Sequence, residues 1–281
     1  MVDSVIEGAV RRPAGRLRLF IDRYVGTRLE GVDPGSHLGL PSPSLTLIIS
    51  LDSPIDVVAM PDRRQAPDSF SAFVGGLHAS PAIVSYGTSL SCLNVELSPL
   101  GAHAVLGVRP GDLASLVVGL DDVMGRRGRD LTERLGCAGT WSERFDILDD
   151  VFARGLADRS ALPAQLVGAW CELVTSGGTA QIDAVAAEVG WSRRHLAERF
   201  GVEFGLTPKV AARVVRFDRA RRLLEHPDRV SLAMVAAQCR YHDQAHLSRE
   251  WQDLAGCPPG VWLAAEQLPN VQDTVGSAAG Q

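Results

Sequence analysis

The sequence predicts an α+β chain, with a β-rich N-terminal part and an all-α C-terminal part. Three observations carry that reading. Short runs of β-branched and aromatic residues fill the first hundred positions. Apolar residues then recur at three- and four-residue intervals, the helical period. Near the C-terminus one helical unit is written twice, about fifty residues apart.

Residues 15–99 read as β-rich. The runs 45–51, 55–60, 70–76, 82–87 and 90–97 are separated by Pro, Gly, Asp and Ser, as turns require. Several short strands at close spacing point to a small sandwich or barrel. Residues 101–107, 111–124, 130–136 and 141–157 fit helical spacing, with Thr140 or Trp141 opening the last and Gly155 weakening its end. Ser160 to Pro163 mark a domain boundary, and Leu166 to about Gln267 reads as helix and short turn. The expected parts are residues 1–160, 161–268 and a flexible tail, 269–281.

A chain of 281 residues is long enough for two domains. A hydrophobic share of 46% and a charged share of 22% describe an ordinary globular protein. No apolar run approaches the ~20 residues that cross a bilayer, and MVDSVIEGAVRRPAGRL lacks the apolar core of a signal peptide. A cytoplasmic location without membrane contact is therefore expected. Cys92, Cys137, Cys171, Cys239 and Cys257 form no C-x-x-C pair and read as reduced, mostly buried thiols. The net charge of −5 opposes nucleic-acid binding, but its distribution does not: residues 192–222 hold 9 basic and 3 acidic side chains. Such a local excess suits phosphate.

The repeat pairs AVAAEVGWSRRHLAERF (184–200) with MVAAQCRYHDQAHLSREW (234–251). Val185-Ala186-Ala187 matches Val235-Ala236-Ala237; after one inserted residue, His195-Leu196 matches His246-Leu247, and Phe200, Gly205 and Pro208 match Trp251, Gly256 and Pro259. Each copy reads as helix-turn-helix. Small residues on the first helix (Val185 and Ala186, or Val235 and Ala236) allow a close crossing. Gly190 suits the helix end, and Ser192 and Asp243 suit the next N-cap. Leu196 and Phe200, like Leu247 and Trp251, are four apart and face inward. The opposite arc carries Arg193, Arg194, Ala197 and Glu198 in the first copy, and Gln244, Ala245, Ser248 and Arg249 in the second. Arg and Gln bond base edges bidentately, and Ser serves base or phosphate. Thr207 and Pro208 begin a connecting helix that runs to Pro227, about 27 Å at ~1.5 Å per residue. Of its Arg213, Arg216, Arg219, Arg221 and Arg222, some are expected on phosphate and others on Asp218 or Glu225.

These stretches resemble the AraC/XylS transcription regulators over residues 166–267. The carrying segments are IDAVAAEVGWSRRHLAERFGVEFGLTPKVAARVVRFDRARRLLE and VSLAMVAAQCRYHDQAHLSREWQDLAGCPPGVW. The resemblance implies seven helices, with the third and sixth, roughly 192–201 and 243–252, entering adjacent major grooves. Arg240 departs from the pattern, since family members usually carry Gly there; at positive φ a side chain costs ~1–2 kcal/mol. Glu198 is a second departure: it either accepts from cytosine N4 or orients Arg194.

The resemblance also implies a cupin-like sensing and dimerising barrel ahead of the DNA-binding part. The Pro, Leu and Ile pattern near 43–48, FVGG at 73–76 and LSPLG at 97–101 are similar to a barrel variant of such regulators. Phe70, Phe73 and Tyr86 either line a small-molecule pocket or fill the barrel core. Leu113, Leu116, Phe145, Leu148 and Phe152 either cover the barrel or dimerise. His37, His78 and His103 lack metal-ligand spacing, and no phosphate loop or nucleophile elbow is present. The expectation is a sequence-specific regulator with no catalytic residue, metal or cofactor. Its expected partners are double-stranded DNA, a small-molecule effector, a second copy of the chain and, for an activator, RNA polymerase. The rival readings are a metal- or thiol-dependent enzyme or repair protein with an appended DNA-binding module, and an architectural DNA binder.

Overall fold

The computed structural model describes residues 5–156, 162–226 and 230–265. The expected boundary at 160, the helix end at Pro227 and the tail 269–281 fall outside them. Among the described residues, ten strands build the N-terminal part: β1 (Val5–Arg11), β2 (Ile21–Glu30), β3 (Gly35–Gly39), β4 (Leu45–Ser50), β5 (Ile55–Ala59), β6 (Asp68–Phe70), β7 (Ala72–Gly75), β8 (Ala82–Tyr86), β9 (Ser89–Leu97) and β10 (Val117–Gly119). They form a six-stranded sheet, β1-β2-β9-β4-β7-β10, and a four-stranded sheet, β3-β8-β5-β6.

The strands alternate as a two-residue period requires. Leu45, Leu47 and Ile49 of β4, with Leu93, Val95 and Leu97 of β9, are fully buried on one face of the large sheet. Helices cover that face: α1 (Pro99–Gly101), α2 (Leu120–Met124), α3 (Arg126–Cys137) and α4 (Trp141–Gly155). Thr140 and Glu143 close a capping box at the start of α4. Tyr24 of β2 stacks on Phe145 at 5.8 Å and donates to Asp149 at 2.9 Å. Phe145, Leu148 and Phe152 therefore cover the sheet.

One expectation fails. Residues 111–124 are not a single helix: they divide into a 3-10 turn (Pro110–Leu113), β10 and α2. Val117 and Val118 carry the branched side chains of a strand and pair with Gly75 and Val74 at the sheet edge, which outweighs local helical spacing. Likewise 101–107 is α1 running into a π turn (Ala102–Leu106). The helix expected over 130–136 is longer, Arg126–Cys137.

The C-terminal part, among the described residues, has seven helices: α5 (Ala164–Thr175), α6 (Ile182–Glu188), α7 (Arg193–Phe204), α8 (Pro208–Glu225), α9 (Leu232–Gln238), α10 (Gln244–Ala255) and α11 (Pro259–Ala265).

Candidate DNA interface and the barrel cavity

The two repeats fold into matching units. Val185, Ala186, Val235 and Ala236 are buried on the short first helices. In the first turn, the Gly190 N–H donates to Ala187 at 3.1 Å and the Trp191 N–H to Ala186 at 2.9 Å. In the second, the Arg240 N–H donates to Ala237 at 3.1 Å and the Tyr241 N–H to Ala236 at 2.9 Å. Gly190 sits at φ +74° and Arg240 at φ +55°, so the Arg occupies the same left-handed turn without its geometry changing. Ser192 accepts from the His195 N–H at 3.2 Å, and Asp243 accepts from the His246 N–H at 2.6 Å. That bond, followed by His242, holds the Asp243 carboxyl below the usual range. Even the flanking rings correspond, with Trp191 against His195 at 4.7 Å and Tyr241 against His246 at 5.4 Å.

The candidate reading residues lie on the free arcs of α7 and α10. Arg193, Arg194, Glu198, Gln244, Ala245 and Arg249 are exposed; Ala197 and Ser248 are half-buried. Arg193 has a loose contact with Asp183 at 3.4 Å, which in solvent is weak. No Arg194–Glu198 ion pair forms among the described residues. Below these arcs, Phe200 and Phe204 pack on Trp170 in the same core as Leu196, and Leu247 and Trp251 pack with Phe217 and Trp262.

Four of the five arginines of the connecting helix α8 pair with carboxylates, while Arg219 is exposed and has no ion pair among the described residues. Arg213 and Arg216 both bond Glu250, at 2.8 and 2.7 Å, and Arg216 lies over the Tyr241 ring. Arg221 bonds Asp218 at 2.7 Å and Glu225 at 2.6 Å, and Arg222 bonds Asp218 at 2.8 Å. The Glu250 pairs hold the second unit against the long helix.

The barrel meets both candidate reading helices at their C-terminal ends. Gly111 lies so close to the end of α7 that a Cβ there would sit 2.4 Å from the Val202 carbonyl oxygen. A Cβ on Gly205, the cap of α7, would meet Ala114 at 2.1 Å. The matching cap of α10, Gly256, faces Pro81. The candidate reading residues, in the N-terminal halves of α7 and α10, stand away from these contacts.

Between the two sheets is a cavity of about 380 Å³. Phe73 and Tyr86 line it, with Ile48, Val57 and Leu90. Phe70 instead packs on Phe73 at 5.6 Å. Sequence reasoning missed the polar part of the lining: Arg23, Asn94 and Glu96 from the large sheet, and Arg221, Arg222, Glu225 and Trp262 from the helical part. The alternation in LSCLNVEL, with Cys92, Asn94 and Glu96 on one face and Leu93, Val95 and Leu97 on the other, is the signal that could have found it. Among the described residues, no cluster of three or more His, Cys, Asp or Glu could hold a metal. No described helix is long and apolar enough to cross a membrane.

Residues 185–265 match the family model of a helix-turn-helix domain. A single-substitution variant of ToxT from Vibrio cholerae, solved in its apo form, is similar in fold, with a TM-score of 0.54 at 9% identity, covering 86% of this chain and 97% of that one. Wild-type ToxT from the same organism, solved with an unsaturated fatty acid bound, gives 0.50 at 9% identity over 94% of this chain and 98% of the other. An AraC-type DNA-binding domain protein from Chromobacterium violaceum aligns at 24% identity and a TM-score of 0.35, covering 38% of this chain and 96% of that one. No curated protein matches in sequence.

Proposed function

We propose that this chain, a DNA-binding transcription regulator of the AraC type, reads a specific operator with α7 and α10 under the control of its N-terminal part. Arg193, Arg194, Ala197 and Glu198 face one major groove; Gln244, Ala245, Ser248 and Arg249 face the next. Residues 1–160 sense or dimerise, and residues 161–268 bind DNA. No catalytic step is involved, and the chain acts in the cytoplasm on double-stranded DNA, with RNA polymerase as a partner where it activates.

The observation that carries the reading is the doubled unit: two turns with matching hydrogen bonds, two capped helices and two largely exposed arcs carrying Arg, Gln and Ser, residue types able to bond bases. The connecting helix has 18 residues, or ~27 Å at ~1.5 Å per residue. A rigid spacer of that length suits reading helices in grooves one turn, ~34 Å, apart. Control by a small molecule is supported by the cavity, whose wall includes Arg221, Arg222 and Trp262 from the DNA-binding part. An occupant would touch both parts at once and bias their relative placement. ToxT, with its bound fatty acid, is a protein of this fold that holds a small molecule.

The test is selection of bound duplexes from a random library with the full-length protein at near-physiological salt. The expected result is an asymmetric motif of two short boxes about one helical turn, ~10 base pairs, apart. Binding that mixed-sequence competitor removes at matched concentration would overturn sequence-specific reading in favour of an architectural binder.

A further inference from the structure

The cavity wall also indicates what it holds. Its rim carries three guanidinium groups, and each already has a carboxylate: Arg23 with Glu96 at 2.6 Å, Arg221 with Asp218 and Glu225, and Arg222 with Asp218. Asp22 adds a further carboxyl group beside this set, its pKa raised by burial and then by Glu96. His78, also on the wall, is held towards its neutral form by burial. The three guanidinium groups thus face four carboxyl groups, those of Glu96, Asp218, Glu225 and Asp22, so an entering anion meets no net positive charge to offset its loss of water.

One rung along the sheet the wall changes character. Asn94 of β9 stands directly between Val25 of β2 and Ile48 of β4 in the sheet register, and Ile48 is followed by Phe73 of β7. The Asn94 side chain thus lies in an otherwise apolar row. Its Oδ1 is shielded from solvent and has no hydrogen-bond partner, and the same holds for Nε of Arg23, one rung away. A buried polar atom without a partner is rare enough to need an explanation, such as a bound water or ligand. Here one donor and one acceptor without partners occupy neighbouring rungs, above the apolar floor of Val57, Phe73 and Leu90.

We infer that the cavity takes a neutral, largely apolar molecule carrying one group that both donates and accepts a hydrogen bond, such as a hydroxyl or a primary amide, seated at Asn94, and that it disfavours the corresponding carboxylate. This rests on the reading of the cavity as the effector site and adds the chemistry of the effector.

The experiment titrates the full-length protein by calorimetry with three probes of equal chain length: decanol, methyl decanoate and decanoate. Decanol is expected to bind about tenfold more tightly than methyl decanoate, which offers no donor, and than decanoate, whose charge meets more carboxyl groups than guanidinium groups. Asn94→Leu is expected to remove the preference for decanol over methyl decanoate while leaving the folded protein and its binding of the ester. Decanoate binding as tightly as decanol, or a preference that survives in Asn94→Leu, overturns the assigned chemistry but leaves the cavity as a ligand site. Binding of none of the three overturns the effector-site reading along with it.

Discussion

The two helix-turn-helix units share one local plan but are anchored differently. In the first, Leu196, Phe200 and Phe204 belong to the same continuous core as Leu47 and Val74 of the barrel and Leu113 beside it. In the second, Leu247, Trp251 and Leu254 form a separate core with Phe217 and Trp262, which the barrel touches through partly buried Leu38, Leu40 and Ala79. The first unit is thus an extension of the barrel's packing. The second is a satellite, held by α8 and by Glu250 between Arg213 and Arg216. A repeated sequence fixes the inside of each unit; what lies outside sets how firmly each is held.

The largest effect that would test this difference is Trp251→Ala. The ring is fully buried against Phe217 and Trp262, and its loss should cost about 3–5 kcal/mol. In hydrogen exchange, α9 to α11 should lose protection while α7 and the barrel keep theirs. Phe200→Ala should instead lower protection in α7 and the barrel helices together. Equal loss in both units after Trp251→Ala would erase the proposed asymmetry.

Next comes a change that should leave packing alone. Arg249 is exposed on α10 and makes no ion pair among the described residues, so Arg249→Ala should not alter the melting temperature. Specific operator binding should weaken by about 1–3 kcal/mol, with relaxed preference at one base position. Arg194→Ala should do the same at the other box. Footprinting and competition titrations measure both, and an unchanged site preference in the Arg249 variant removes that residue from the base-contacting set.

What can be read from the sequence follows the same divide between local and long-range causes. The caps at Ser192, Thr207 and Asp243 are legible because a cap bonds a backbone N–H three positions on. The inward Leu196–Phe200 and Leu247–Trp251 pairs follow from the helical period. The N-terminal part is harder. β1 and β2 have no clear signature of their own because Glu7, Gly8, Asp22 and Arg23 interrupt them, and their stability comes from pairing with each other and with β9. Residues 111–124 read as helix because three- and four-residue spacing is a local pattern, whereas β10 exists through its partner β7. The cavity is half legible: the strand pattern points to Phe73 and Tyr86, but Asn94 and Trp262 meet there only through the fold. The arginines of α8 show the same limit, since Glu250 lies 37 and 34 residues from Arg213 and Arg216.

The smallest expected effect isolates one backbone angle. The turns of the two units have the same hydrogen bonds, but one is built on Gly190 and the other on Arg240, both at positive φ. A Cβ on Gly190 would meet nothing within 4 Å, so crowding plays no part there. Holding a side chain in the left-handed region costs ~1–2 kcal/mol, and adding a glycine returns ~0.4–1 kcal/mol to the unfolded chain. Arg240→Gly should therefore stabilise the protein by about 0.5–1 kcal/mol, and Gly190→Ala should destabilise it by a similar amount, both read from denaturation midpoints. The DNA side of the same variant says why an arginine occupies the turn. If the exposed Arg240 touches a phosphate, Arg240→Gly should weaken binding to all sequences alike and lower the salt slope by about 1. A stabilised variant with unchanged salt dependence would leave the strained turn as a defect of the second unit, one that its separate core tolerates.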